Sequence, residues 1–187
     1  MLTRLIPLFF LFTFFAFAQN SAQLKDSIVK YKHLNPSLAV EFGIEYTQLT
    51  VNQSPNSEMQ NVYAILGEIL LEMGLFANSL NYLNSSIDIY KNLEKSERNF
   101  PNIDQPPWVI LNVGNIYFNN GDYENATEKY KQATELFNNI SNKEAQFLGL
   151  NTSNSNLALI QERKGDYDAA EKIYLDVYKR RLENGKI

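Results

Sequence analysis

Gly114-Asn115-Ile116-Tyr117-Phe118-Asn119-Asn120-Gly121-Asp122-Tyr123-Glu124-Asn125-Ala126 is the stretch on which the fold turns. Just upstream and within it, Ile110, Val113, Gly114 and Tyr117 stand at i, i+3, i+4 and i+7, the apolar face of one helix. Gly114 leaves that face bare at the point where a second helix has to come close. Gly121 tolerates the left-handed conformation in which helices commonly end, and Asp122 after it suits the cap of the next helix. Tyr123, Ala126, Tyr130 and Ala133 then form a second stripe of large and small residues at helical spacing. The stretch predicts two helices folded back on each other.

The pattern recurs on both sides. Gly67 with Gly74-Leu75-Phe76-Ala77-Asn78-Ser79 keeps its internal spacing upstream, and Ala158 with Gly165-Asp166-Tyr167-Asp168-Ala169-Ala170 keeps it downstream. The offsets are 47 and then 44 residues, so the hairpin is constant and the connections vary. Tyr63, Leu66, Leu70, Phe76 and Leu83 supply the apolar stripes of the first unit; Leu157, Tyr167, Ala170, Tyr174 and Val177 supply those of the third. Further upstream, Leu24, Ile28 and Tyr31 share a helical face, Asn35-Pro36 interrupts, and Leu38 to Leu49 is again apolar at helical spacing. Residues 19–56 therefore read as a divergent N-terminal helix pair, with Ala39 in the place of Ser79. Ser57-Glu58-Met59-Gln60 and Ser141-Asn142-Lys143-Glu144 have the form of capping boxes, the second starting its helix near Asn142. Asp104-Gln105-Pro106-Pro107 breaks the chain between the first two clear units, and proline is tolerated in a first helical turn. Four such pairs exceed the roughly three repeats that a stacked array needs.

Composition removes several classes of function. The 187 residues include 17 Lys+Arg against 21 Asp+Glu, one His and no Cys. Without cysteine there is no disulfide framework, thiolate metal site or Cys nucleophile. The basic residues are scattered rather than clustered, which argues against nucleic acid as a partner. The first eighteen residues stand apart: Arg4 gives a positive start, Leu5 to Phe17 is uncharged, and Ala16-Phe17-Ala18 is a small-x-small cleavage pattern. Residues 1–18 read as a signal peptide, shorter than the roughly 20 residues of a membrane span. The expectation is an exported protein, periplasmic or secreted, of a bacterial envelope, with no membrane contact after cleavage. No Cys follows Ala18, so that site offers no lipid anchor.

No catalytic constellation emerges. His33 is the only histidine and reads as a partly exposed helix-end residue; no phosphate-binding glycine motif and no cofactor motif is present. Asp122, Glu124, Asp166 and Asp168 fall in first helical turns or just before them, where negative charge complements the helix dipole. Five Asn-x-Ser/Thr triplets, at Asn52, Asn84, Asn125, Asn139 and Asn151, follow from an Asn-rich composition and carry little weight as glycosylation sites.

Gly-Asp-Tyr-x-x-Ala, with a small residue seven before its Gly and a Tyr further along the second helix, resembles the tetratricopeptide repeat, over residues 60–93, 107–140 and 151–184. The position where the family has a large aromatic is Tyr63, Ile110 and Asn154, so only the first keeps it; the other departures are no Pro near the repeat end and a period beyond the usual 34. The resemblance implies an all-α, right-handed solenoid of antiparallel helix pairs over 57–187, acting as a scaffold that binds a protein or peptide segment, and not an enzyme. It also implies that the first helix of each pair lines a concave face. Carried across, those positions are Trp108, Leu111, Asn112, Asn115, Phe118 and Asn119 in the second unit, and Thr152, Ser155, Asn156, Leu159, Glu162 and Arg163 in the third. Asn112 and Asn156 take the place from which peptide-binding members bond a ligand main chain, and Trp108 and Phe118 are its aromatic anchors. Leu111 and Ser155 stand where a carboxylate clamp has Lys, which speaks against a C-terminal carboxylate as ligand. The last predicted helix, Tyr167 to Asn184, carries Ile173, Tyr174 and Val177 on one side and Leu175 and Tyr178 on another. Self-association or further chain is expected to cover it. The second option fits the extracytoplasmic sensory front of a larger bacterial signalling protein, resembling histidine kinases or transcription regulators that begin this way.

Overall fold

The computed structural model describes residues 20–94 and 106–185. The signal segment and the Asp104-Gln105 part of the break lie outside the described residues. Among those described there are eight helices and no strand: α1 Ser21–Tyr31, α2 Pro36–Thr50, α3 Ser57–Glu72, α4 Phe76–Asn92, α5 Pro106–Asn119, α6 Tyr123–Asn138, α7 Lys143–Arg163 and α8 Tyr167–Glu183. Consecutive helices pair as α1/α2, α3/α4, α5/α6 and α7/α8, and the pairs stack through α2/α3, α4/α5 and α6/α7.

The hairpin turns follow from their glycines. Gly74, Gly121 and Gly165 have φ of 74°, 78° and 82°, the left-handed region that side chains resist. At each turn the glycine N–H bonds three residues back and the next N–H bonds five back, as in Gly121 N to Phe118 O (3.0 Å) and Asp122 N to Tyr117 O (2.9 Å). That is the Schellman closure, which satisfies carbonyls left over at the helix end.

Asparagine does much of the capping. Asn20, Asn35, Asn56 and Asn142 each accept a backbone N–H at the start of a helix, as Asp122 and Asp166 do for α6 and α8. The capping boxes expected at Ser57 and Ser141 are therefore displaced by one residue. Asn56 accepts from Met59 N (2.9 Å), and Asn142 accepts from Glu144 N and Ala145 N (3.0 and 3.1 Å). With the cap moved, Met59 and Ala145 occupy the third helical position, where neither side chain can return a bond. A reciprocal box forms instead at α1, between Asn20 and Gln23.

Close helix approach depends on the small residues. A Cβ on Gly114 would lie 2.6 Å from Cε1 of Tyr130, and one on Gly149 would run into the ring of Phe137. Tyr130, Ala133 and Phe137 of α6 are thereby buried with Ile110, Leu111 and Ile160 between α5, α6 and α7. Ala39, Ser79, Ala126 and Ala158 are all 0% exposed at their respective positions. The last helix buries Val177 and half-buries Ile173, while Tyr174, Leu175, Tyr178 and Leu182 stay exposed. No helix among the described residues is long and apolar enough to cross a membrane.

Candidate functional site

The first helices of the last two pairs, α5 and α7, touch each other. Along their contact the expected groove residues sort into three groups.

Asn112, Asn115 and Asn156 come together in one row, all half-buried. Asn115 Nδ2 donates to Asn112 Oδ1 (3.3 Å), and Asn156 Nδ2 donates to Asn115 Oδ1 (3.1 Å). Asn115 Oδ1 accepts a second, shorter bond of 2.8 Å from the Tyr130 hydroxyl. Tyr130 is 1% exposed. Burial pushes its hydroxyl well above the ordinary phenol value, with the Asn156 amide beside it pulling weakly the other way. The phenol therefore keeps its proton and remains a donor. Each bond in such a row contributes on the order of 1 kcal/mol net, but a polar group left unpaired there costs about 1–3 kcal/mol. Asn112 keeps its Nδ2 and Asn156 its Oδ1 outside the row, one donor and one acceptor on adjacent repeats.

The aromatic residues flank that row and are partly committed to the protein itself. Trp108 is half-buried and meets the Phe137 ring edge-on at 4.8 Å and 72°. Phe118, also half-buried, packs against Tyr123 at 5.5 Å. Thr152, Ser155 and Leu159 are half-buried, and Asn119, Glu162 and Arg163 are exposed beyond them. Leu111 is a correction. It is 3% exposed and packs in the core with Tyr130 and Phe137, because that turn of α5 faces α6 and α7 rather than a groove. Asn151, at 2% exposed, is likewise out of reach of any glycan.

The sequence reading missed Tyr130, which it placed in the apolar stripe of α6. The signal was available: a phenol on a buried stripe needs a partner for its hydroxyl. Elsewhere, Tyr174 donates to Glu162 Oε2 at 3.4 Å, and burial followed by the Glu162 charge raises its hydroxyl. His33 is exposed just past α1. Among the described residues no group of three or more His, Cys, Asp or Glu is placed to hold a metal ion.

Residues 108–183 match the family model of the tetratricopeptide repeat. Comparison with curated proteins gives no match. Solved structures with the same fold include BtubC (BKLC) from P. vanneervenii, with a TM-score of 0.73 at 16% identity over 90% of this chain and 67% of that one. MamA aligns with a TM-score of 0.65 at 19% identity, covering 92% of this chain and 84% of its own. A putative kinesin light chain of Podosopora anserina, with nearly identical TPR-like repeats, aligns at 0.68 and 14% identity, covering 89% and 77%. At these identities the likeness is one of fold alone.

Proposed function

Residues 108–183 belong to the tetratricopeptide repeat family, and on that premise we propose that the chain is an exported scaffold that binds an extended peptide or protein segment across α5 and α7. The single observation behind this reading is the amide row. Asn112 Nδ2 at one end of the row and Asn156 Oδ1 at the other leave one donor and one acceptor, the two kinds of group that the carbonyls and N–H groups of a polypeptide main chain can bond. The partly covered rings of Trp108 and Phe118 supply apolar contact at either side. Export rests on the charged start and the apolar run from Leu5 to Phe17. Binding rather than catalysis is the proposed activity.

The test is selection from a displayed library of random peptides. The wild-type chain is expected to enrich a set of sequences that the double variant Asn112→Ala, Asn156→Ala no longer retains, while both give the same helical circular dichroism. Equal enrichment by the double variant would place the binding surface elsewhere.

A second reading is favoured by the exposed face of α8. Tyr174, Leu175, Tyr178 and Leu182 are 37%, 49%, 51% and 51% exposed, and at i, i+1, i+4 and i+8 they fall along one side of the helix. In this reading the array is the extracytoplasmic sensory region of a larger signalling protein, and this face packs on what adjoins it. Self-association through the same face would show instead as a concentration-dependent mass in sedimentation.

A further inference from the structure

The outward face of α8 is built to match itself. Tyr167, Glu171, Tyr174, Leu175, Tyr178 and Leu182 stand at i, i+4, i+7, i+8, i+11 and i+15, one stripe along the helix, and all six are exposed. Ala170 and Val177 take the buried side of the same helix, so the stripe is turned outward. Steps of four and three residues are those by which nearly aligned helices interlock.

Charge is divided along the stripe. The first half of α8 bears Asp168 and Glu171, the second half Lys179 and Arg181, and all four are exposed. The ion pair that the helix does form, Arg180 with Asp176 at 2.8 Å, leaves these four out. A second α8 laid along the first in the same direction would set acid on acid and base on base. Laid in the opposite direction, it brings Asp168 and Glu171 of each copy to Lys179 and Arg181 of the other.

Shape agrees with the reversed arrangement. With a twofold axis between Tyr174 and Leu175, Tyr167 of one copy is level with Leu182 of the other, and Glu171 is level with Tyr178. A hollow of about 390 Å³ lies over the first half of the helix, lined among others by Glu162, Tyr167, Ala170, Glu171 and Tyr174. Leu182, 51% exposed, stands beyond it and is the side chain that the reversed copy brings to its mouth. The opposite end of the array is a poorer match for α8, because α1 turns Ala22, Gln23, Asp26, Val29 and Lys30 outward, a mostly polar face.

We propose that two copies of this chain pair through α8, antiparallel, in a twofold dimer that closes on itself. The proposal does not rest on the peptide-binding reading, since none of these residues belongs to the amide row. It competes with the second reading for the same face.

Charge exchange tests it. The chain from Gln19 onward, the form that cleavage after Ala18 would leave, is expected to rise with concentration in sedimentation from the monomer mass to twice that mass and to stop there. Asp168→Lys with Glu171→Lys makes both halves of the helix basic; Lys179→Glu with Arg181→Glu makes both acidic. Either double variant alone is expected to dimerise about tenfold or more weakly than wild type, because repulsion replaces attraction at each end. An equimolar mixture of the two is expected to recover the dimer, since every facing pair is again opposite in sign. Should lysine in the first turn fray α8, Glu171→Lys and Arg181→Glu alone carry the same exchange, with helical circular dichroism as the check on folding.

A wild-type chain that stays monomeric up to its solubility limit overturns the proposal and leaves the face to adjoining chain or another protein. Mass growing past two copies overturns it in favour of an open, end-to-end contact. Variants that pair as tightly as wild type, or a mixture that stays monomeric while both variants are helical, overturn the antiparallel arrangement. None of these outcomes involves a peptide, so they leave the peptide selection to stand or fall by itself.

Discussion

The pairs α3/α4 and α5/α6 align at an offset of 47 residues, share the same turn, and differ in nearly everything that could touch a partner. Gly67 matches Gly114, Gly74 matches Gly121, and Ser79 stands for Ala126. Where α5 has Asn112 and Asn115, however, α3 has Ile65 and Glu68, and Leu83 replaces Tyr130. Ile65 is buried at 4% exposed. Glu68 accepts from Lys32 of the first pair at 2.6 Å, and Glu58 pairs with Lys25 at 3.4 Å while accepting from Tyr46 at 3.3 Å. The N-terminal stack thus spends its polar side chains on holding α1 and α2 to α3. The C-terminal stack turns its polar side chains into an amide row with unused bonding capacity. The backbone of the repeat requires only its glycines and small residues, so the remaining positions are at liberty to specialise.

The comparison can be broken most forcefully at Phe137 and its counterpart Tyr90. Phe137 is 0% exposed, holds the edge of Trp108, and fills the space left by Gly149, which places it among α5, α6 and α7. Tyr90 occupies the matching position but is only half-buried. Phe137→Ala is expected to cost about 3–5 kcal/mol in urea denaturation, and Tyr90→Ala less than half of that. Equal losses would mean that the two stacks depend on this position alike, and that the asymmetry is confined to the surface.

A smaller effect is expected at the turns. Asp122 and Asp166 cap α6 and α8, whereas the matching Leu75 gives α4 no side-chain cap and is 46% exposed. Leu75→Asp is therefore expected to stabilise the chain by about 1 kcal/mol, read as a higher urea midpoint at unchanged slope. No gain would show that the other two caps act through something besides the hydrogen bond.

How far the sequence carried this picture depended on what each signal required. The hairpins were legible because Gly at a left-handed turn and small residues at a helix crossing are backbone demands, met by few residue types. The start of α7 near Asn142 was legible for a similar reason, although the choice between Ser141 and Asn142 as cap was not, since both side chains can accept the bond. On α5 and α7, Asn112, Asn115 and Asn156 were picked out by their place in the repeat. Their mutual bonding was invisible, because it joins residues 41 apart whose amides could each have faced a ligand. Leu111 went wrong for a related reason. A position in the repeat fixes an angle around the helix, but burial depends on which neighbours lean over it, and here Tyr130 and Phe137 do.

The subtlest contrast between the two turns lies in acid. Asp122 is half-buried, and its carboxyl is held below the usual carboxylate range, first by the bond from the Asn125 side chain (2.6 Å) and then by the Asn125 backbone N–H (3.1 Å). A carboxyl whose folded value is depressed adds stability that is present above its unfolded value and disappears as pH falls through the folded one. Asp122→Asn keeps an acceptor for the cap but removes the charge. Wild type should therefore be the more stable of the two near neutral pH, with the difference narrowing as pH falls through and below the usual carboxylate range. Leu75→Asp is the sharper half of the experiment. Asn78, three residues after Leu75, matches Asn125, so the new carboxylate would find the same amide partner and should acquire the same acid sensitivity. If the added Asp stabilises equally at low and neutral pH, the cap works by geometry alone and the charge at Asp122 adds nothing to it.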